Sequence, residues 1–107
     1  METEPQPNPI AQLNDAFRRS GQDVMVTPGV RALPDMLGLI HAVQTFDRST
    51  PDNDPWGEHD CAILTVNGRR VLFKIDYYDL ELQCHSPDAS DPAVTQRVMT
   101  VMLAEEY

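Results

Sequence analysis

Two alternating apolar segments joined by Asn67-Gly68 form the clearest pattern in the chain. Asn-Gly between β-branched and aliphatic runs is a strong hairpin signal, because a type I′ turn needs positive φ at both central residues. With a two-residue turn, Leu64 faces Val71 and Ala62 faces Phe73. Alternation of period two then predicts one apolar face that belongs to the core: Ala62, Leu64, Val66, Val71, Phe73, Ile75 and Tyr77.

Residues 80–85 continue the alternation and predict a third strand. If Tyr78-Asp79 is a second two-residue turn, Ile75 pairs with Leu82, and the apolar faces of all three strands coincide. Tyr-Asp is a poor type I′ pair, however, and a longer loop would shift this register.

Charged residues gather on the other face of this predicted sheet. The register opposes Asp76 to His59 on one neighbour and to Glu81 on the other, with Cβ atoms roughly 4.5–5.5 Å apart. Two opposed carboxylates repel one another unless a cation lies between them. We therefore expect a solvent-accessible polar patch that no helix covers, with a small apolar spot at Ile63 and Leu72.

Helical spacing predicts the flanking elements. Asn8-Pro9 is an N-cap followed by proline at the first helical position, and its helix ends at Gly21. Residues 24–26 form a short strand, and residues 28–46 form a helical turn and then a longer helix that Pro34 opens.

Asp91-Pro92 repeats the cap pattern before an apolar stripe and predicts a C-terminal helix. The element order is therefore α-β-α-β-β-β-α. This is an α+β fold with an antiparallel sheet of three to four strands and helices on one face.

Length and charge restrict the possible functions. The chain has 107 residues, and we expect residues 1–8 to be a disordered tail and residues 9–107 to be one α+β domain. Eight Lys and Arg residues against 17 Asp and Glu give a net charge of −9. This balance argues against direct nucleic-acid binding, which requires cations opposite phosphates.

Other features favour a cytoplasmic protein that binds no membrane. No stretch approaches the roughly 20 apolar residues of a membrane span, and the chain starts without a signal-peptide pattern. Its two cysteines are predicted to be reduced thiols. The chain has no phosphate-binding loop, dinucleotide fingerprint, Cys-x-x-Cys pair or nucleophile elbow. We expect no cofactor and favour a non-catalytic protein, although the oligomeric state stays open.

Residues 50–60 and 74–81 hold the candidate site residues. Acidic residues around Pro51 and Pro55 suit turn formation better than a calcium loop, which would need a glycine and a distal glutamate. Lys74 and Asp76 have the reverse order of the acid-x-lysine pair of many nucleases. The predicted binding residues, with no metal ligand among them, are Asp54, Trp56, Glu58, His59, Lys74, Asp76, Tyr78, Asp79 and Glu81.

Several longer motifs carry a family resemblance: N-D-A-F-R, T-P-D-N-D-P-W-G-E-H-D, K-I-D-Y-Y-D, S-P-D and D-P-A-V-T-Q-R-V-M-T-V-M-L-A-E-E-Y. Over roughly residues 8 to 107, the chain resembles a small bacterial family, the domain of unknown function numbered 3768. The resemblance implies a bacterial origin and an association with plasmids and other mobile DNA. It supplies no catalytic or binding residue.

Two functions are compatible with these features. The first is an acidic interaction protein that binds a basic, nucleic-acid-binding protein, for example as a nucleic-acid-mimicking inhibitor of a host defence system. The second is a small metal-dependent hydrolase or nuclease that uses His59, Asp76 and Glu81, with Lys74 as an electrostatic stabiliser.

Overall fold

In the described part of the chain, four strands form one mixed sheet, and three α-helices lie on one of its faces. The computed structural model describes residues 8–47 and 57–107. The elements are α1 (Pro9–Ser20), β1 (Val24–Val26), α2 (Pro28–Arg31), α3 (Met36–Gln44), β2 (Cys61–Val66), β3 (Arg69–Tyr78), β4 (Gln96–Leu103) and a C-terminal 3₁₀-helix (Ala104–Glu106).

Helix α1 has the ends that its sequence predicts. The Asn8 side chain accepts a hydrogen bond from the Ile10 amide at 2.9 Å, and Pro9 occupies the first turn. Gly21 ends the helix with φ of 72°, a conformation that costs glycine little. Asn8 is thus part of the folded domain rather than of the predicted tail, whose other residues lie outside the described part of the chain.

The β2–β3 hairpin has the predicted register. Leu64 is paired with Val71 and Ala62 with Phe73. Asn67 and Gly68 have φ of 51° and 80°, as a type I′ turn requires. The turn is also tied to the start of α3, because Asn67 Nδ2 donates to Asp35 Oδ2 at 2.6 Å.

The predicted third strand at residues 80–85 is wrong. These residues form a loop closed by its own hydrogen bonds: the Asp79 amide donates to the Cys84 carbonyl at 2.8 Å, and the Leu82 amide donates to the Asp79 carbonyl at 3.0 Å. Leu82 has φ of 59°, which turns the chain out of an extended path. The alternating leucines predicted a buried strand face, but both leucines in this loop are exposed.

The predicted C-terminal helix is also wrong, since residues 96–103 form β4. This strand pairs antiparallel with β3 and parallel with β1, which makes the sheet mixed rather than purely antiparallel. Arg97, Met99 and Val101 are buried alternately. Short apolar runs rich in β-branched residues fit the periodicity of a helix or of a strand. Here the segment is a strand because eight residues of β3 pair with it.

Asp91-Pro92, the predicted cap of that helix, forms a turn instead. The Ala93 amide donates to Asp91 Oδ1 at 2.9 Å, and the Val94 amide donates to the Asp91 carbonyl at 3.2 Å. The observed order is therefore α-β-α-α-β-β-β, followed by the 3₁₀-helix.

The core lies between the helices and the sheet face predicted from the hairpin. Val30 of α2 and Leu39 of α3 are buried there, and Phe17 of α1 packs against the same cluster. The sheet contributes Ala62, Val71, Phe73, Ile75, Met99 and Val101. Successive side chains of a strand point to opposite faces of the sheet. The remaining side chains of each strand therefore lie on the face away from the described helices.

Candidate interaction surface

The sheet face opposite the helices, called the open face below, carries a row of apolar side chains. Ile63, Leu72 and Met102 are aligned across β2, β3 and β4. Leu72 and Met102 are buried, whereas Ile63 is 45% exposed. Ile63 and Leu72 line a shallow groove of about 560 Å³ that also reaches Lys74, Asp76 and Tyr107. The predicted apolar spot at Ile63 and Leu72 is present and extends to Met102.

Polar residues continue the open face along β3. Lys74 Nζ lies 3.2 Å from Asp76 Oδ2, and both side chains are about one-third exposed or more. Tyr78 follows at the end of the strand. Period-two alternation places Lys74, Asp76 and Tyr78 on one line. Three of the predicted binding residues are thus brought together, although Asp76 faces Val98 rather than His59 or Glu81.

The loop from Asp79 to His85, called the Asp79–His85 loop, prolongs this line beyond the sheet. Asp79 Oδ1 accepts a hydrogen bond from the Gln83 amide at 2.9 Å, and His85 forms a bridge with Tyr78. Leu80 and Leu82 are 62% and 55% exposed, and Glu81 between them is exposed as well. The loop therefore presents two leucines and an acid from a base fixed by hydrogen bonds.

Acidic residues dominate the segment that follows Lys74. Between Lys74 and Arg97 the sequence contains no Lys or Arg. The Ser90 hydroxyl and amide both donate to the Asp88 carboxylate, which lowers the pKa of Asp88 and keeps it ionised. The carboxylates of this segment, called the acidic strip, are Asp76, Asp79, Glu81, Asp88 and Asp91.

His59 and Glu58 do not join the open face. His59 Nδ1 lies 3.0 Å from Asp15 Oδ2 of α1, and Asp15 Oδ1 also accepts from Arg18 Nη1 at 3.1 Å. Strand β2 begins at Cys61, and His59 has φ of 57°, so the strand alternation does not extend back to it. The predicted pairing of His59 with Asp76 is wrong, and His59 lies on the helix side of the sheet.

A buried polar network beneath α1 was missed by the sequence analysis. Asn14 is fully buried, and its Nδ2 donates to the Tyr77 hydroxyl at 2.8 Å and to the Glu58 carbonyl at 2.9 Å. Its Oδ1 accepts from Arg97 Nε at 2.7 Å. The Arg97 guanidinium also lies over the Tyr77 ring, 5.1 Å from its centre.

Burial controls ionisation in this network. Burial raises the pKa of the Tyr77 phenol well above its ordinary value, although the Asn14 hydrogen bond opposes the shift. Burial likewise lowers the pKa of the Arg97 guanidinium. Tyr77 is therefore a neutral hydroxyl at physiological pH, which both accepts from Asn14 and donates to Glu58 Oε2 at 3.4 Å.

The sequence contains part of the information needed to predict this buried network. Asn14 and Arg18 belong to the N-D-A-F-R motif, and Arg97 stands alone in an apolar run. Arginine is rarely buried unless it is paired, and nothing in the local sequence identifies Asn14 as the partner of Arg97, 83 positions away.

The proposed metal-binding residues do not converge. Across residues 8–47 and 57–107, no three His, Cys, Asp or Glu side chains come together as metal ligands. Asp76 lies on the open face, Glu81 lies in the Asp79–His85 loop, and His59 contacts α1. Asp54 and Trp56 lie outside the described residues, so their predicted role stays a prediction.

A family model described as "Protein of unknown function (DUF3768)" matches residues 26–106. The chain belongs to the DUF3768 family. The match runs from the end of β1 to the 3₁₀-helix, and so includes the open face and the acidic strip. It does not include α1, although the resemblance was expected to begin near residue 8. No curated protein and no solved structure shows significant similarity to the chain.

No helix in residues 8–47 and 57–107 combines the length and the apolar character needed to cross a bilayer.

Proposed function

We propose that this protein is a non-catalytic interaction protein whose acidic strip binds a basic surface on another protein. The supporting observation is the placement of the acidic strip. Asp76 lies on the open face of β3, and Asp79 and Glu81 lie in the adjoining Asp79–His85 loop. The sequence contains no Lys or Arg between Lys74 and Arg97. A surface of one sign accelerates association with a partner of the opposite sign and disfavours wrong partners.

The proposed partner is a nucleic-acid-binding protein. Such proteins carry Arg and Lys side chains spaced to contact phosphates. Carboxylates accept the same bidentate hydrogen bonds from arginine that phosphates accept. The acidic strip would occupy the nucleic-acid site of its partner and inhibit it, a role that suits inhibitors of host defence systems carried on mobile DNA.

Tyr78 gives this surface an aromatic contact between its charges. It is half-buried on the open face, directly after Asp76 in the alternation and before Asp79 in the chain. Tyrosine is enriched among interface residues that dominate binding energy, because it combines a large apolar ring with a polar tip.

The alternative of a metal-dependent hydrolase gains no support from the placement of its residues. His59 contacts Asp15 of α1, whereas Asp76 is paired with Lys74 on the open face. A shared cation would require these side chains to lie within a few ångströms of one another.

The test compares two matched pairs of charge-neutralising variants. Asp79→Asn with Glu81→Gln removes two charges from the acidic strip, and Asp47→Asn with Glu105→Gln removes two exposed charges elsewhere. Immobilised protein is incubated with cell extract at about 50 mM and 500 mM salt, where screening differs strongly, and bound proteins are identified by mass spectrometry.

We expect nucleic-acid-binding proteins to be retained at low salt and released by high salt or by duplex DNA. The strip pair should reduce retention severalfold, and the control pair should leave it near the wild-type level. The proposal fails if no nucleic-acid-binding protein is retained at low salt. It also fails if both pairs weaken retention equally, because binding would then follow net charge rather than this surface.

A further inference from the structure

The Asp79–His85 loop holds two leucines in solvent although its backbone is well fixed. Leu80 and Leu82 are 62% and 55% exposed. The loop is closed by the bonds from the Asp79 amide to the Cys84 carbonyl and from the Gln83 amide to Asp79 Oδ1, at 2.8 and 2.9 Å. At its base, the Ser86 amide donates to the Tyr77 carbonyl at 3.1 Å. A fixed loop loses little conformational entropy on binding, which favours its use as a contact.

The backbone at Leu82 is unfavourable for its side chain. Its φ of 59° lies in the left-handed region, where a side chain with a Cβ is strained and where Gly or Asn is the usual residue. An exposed leucine gains little from burial that would compensate for this conformation. Strained residues of this kind cluster at functional sites, so the leucine side chain itself requires an explanation outside the fold.

The surroundings of the leucines define the chemistry of what would cover them. Asp79 precedes Leu80, Glu81 separates the two leucines, and the loop contains no Lys or Arg. An apolar membrane surface with anionic headgroups would be repelled by these charges. A complementary protein surface would present an apolar pocket with Lys or Arg at its rim.

We propose that Leu80 and Leu82 are the hydrophobic anchors of the interaction, inserting into an apolar pocket that adjoins the basic surface of the partner. This inference rests on the proposed function and deepens it. The acidic strip supplies attraction that salt weakens, and the two leucines supply a contribution that salt leaves in place.

Leu37 provides a matched control within the same chain. It is 77% exposed on α3, close to the hairpin turn to which Asp35 is bonded. The ten residues of β3 separate that turn from the Asp79–His85 loop, a distance of roughly 30 Å. Replacing Leu37 removes the same side chain from a surface that should not contact the partner.

The test uses two synthetic basic peptides of equal length and charge. One places Leu and Phe between its Arg and Lys residues, and the other places Ser and Gly at those positions. Binding of each labelled peptide to the full chain is measured by fluorescence anisotropy at about 50 and 300 mM salt. We expect the apolar basic peptide to bind at least about tenfold more tightly, and this ratio to persist at the higher salt.

Leu80→Ser with Leu82→Ser should abolish the difference between the peptides, whereas Leu37→Ser should preserve it. Leu82→Asn is a second variant, since asparagine tolerates the left-handed conformation and keeps the loop shape while removing the apolar side chain. It should lower the ratio severalfold, with circular dichroism and melting temperature like those of the wild type.

The possible failures are distinct. If neither peptide binds the wild type at low salt, the proposed function fails and the inference fails with it. If both peptides bind equally well, or if the leucine variants retain the wild-type ratio, the acidic interaction stands and only the hydrophobic anchor is refuted.

Discussion

Polar side chains on the helix-covered side of the sheet include a buried hydrogen-bonded network, whereas those on the open face and in the Asp79–His85 loop are partly or largely exposed. Asn14 and Arg97 are buried and joined by a 2.7 Å hydrogen bond. Lys74 and Asp76 form an ion pair in which both side chains are partly exposed. The difference separates polar residues that hold the fold from polar residues that are available to a partner.

The contrast extends to apolar residues. Beneath the helices, Phe73 contacts the Phe46 ring edge-to-face at 5.7 Å and lies under the Arg18 guanidinium. In the Asp79–His85 loop, Leu80 and Leu82 remain exposed. Sequence hydrophobicity alone would rank these positions together, although only the first group contributes to the core.

The largest expected effect follows from removing the centre of the buried network. Asn14→Ala leaves the Arg97 Nε donor and the Tyr77 hydroxyl without their shared partner. Each unsatisfied buried group costs about 1–3 kcal/mol, so we expect a loss of about 3 kcal/mol in the free energy of unfolding. Urea denaturation measures it.

Gln12→Ala, on the exposed side of the same helix, is the control and should change this free energy by less than about 0.5 kcal/mol. Equal stability of the Asn14 and Gln12 variants would contradict the structural role assigned to the covered side.

A second, smaller effect should appear at alkaline pH. The pKa of Tyr77 is raised in the folded protein by burial. The unfolded chain therefore loses the phenolic proton first, at its ordinary pKa near 10. The contribution of Tyr77 to the free energy of unfolding is fully present below that pH and is lost as pH rises through the higher pKa of the folded state.

We expect the wild type to lose more stability above pH ~10 than Tyr77→Phe does, as melting temperatures across this range would measure. Comparison with Tyr77→Phe isolates this phenol from the other titrating groups. Parallel pH profiles would contradict the raised pKa of Tyr77 in the folded protein.

The smallest expected effect belongs to the open face. Lys74→Ala breaks a partly exposed ion pair with Asp76 and should lower the free energy of unfolding by at most about 1 kcal/mol. Chemical denaturation at low and high salt would measure this change. A loss above about 2 kcal/mol would show that the open face supports the fold as the covered side does, and the distinction between the two faces would collapse.

The local sequence was sufficient for the elements that local chemistry controls. Asn8 and Gly21 delimit α1, and Asn67-Gly68 fixes the hairpin register, because capping and turn conformation depend on neighbouring residues alone. The placement of Lys74 and Asp76 on one face of β3 followed from the same register, whereas Tyr78, predicted to lie in a turn, is the last residue of the strand.

Pairing between distant segments determined the remaining elements of the sheet. The segment 80–85 has the alternation of a strand, but β4 occupies the edge of β3 and leaves it as a loop with exposed leucines. The segment 96–103 has spacing compatible with a helix, yet its pairing with β1 and β3 makes it a central strand. Alternation and helical spacing describe which residues are apolar, whereas the choice between them depends on which partner strand is available.

The sequence by itself therefore determined the capped first helix, the hairpin and the strong negative charge of residues 76–91. The tertiary structure decided that Asn14, Tyr77 and Arg97 meet in the interior, and that His59 turns to Asp15 instead of Asp76. The physical reason is that a turn or cap is stabilised by residues adjacent in the chain. A buried hydrogen bond between distant residues forms only after the packing of helices on the sheet has excluded water from both partners.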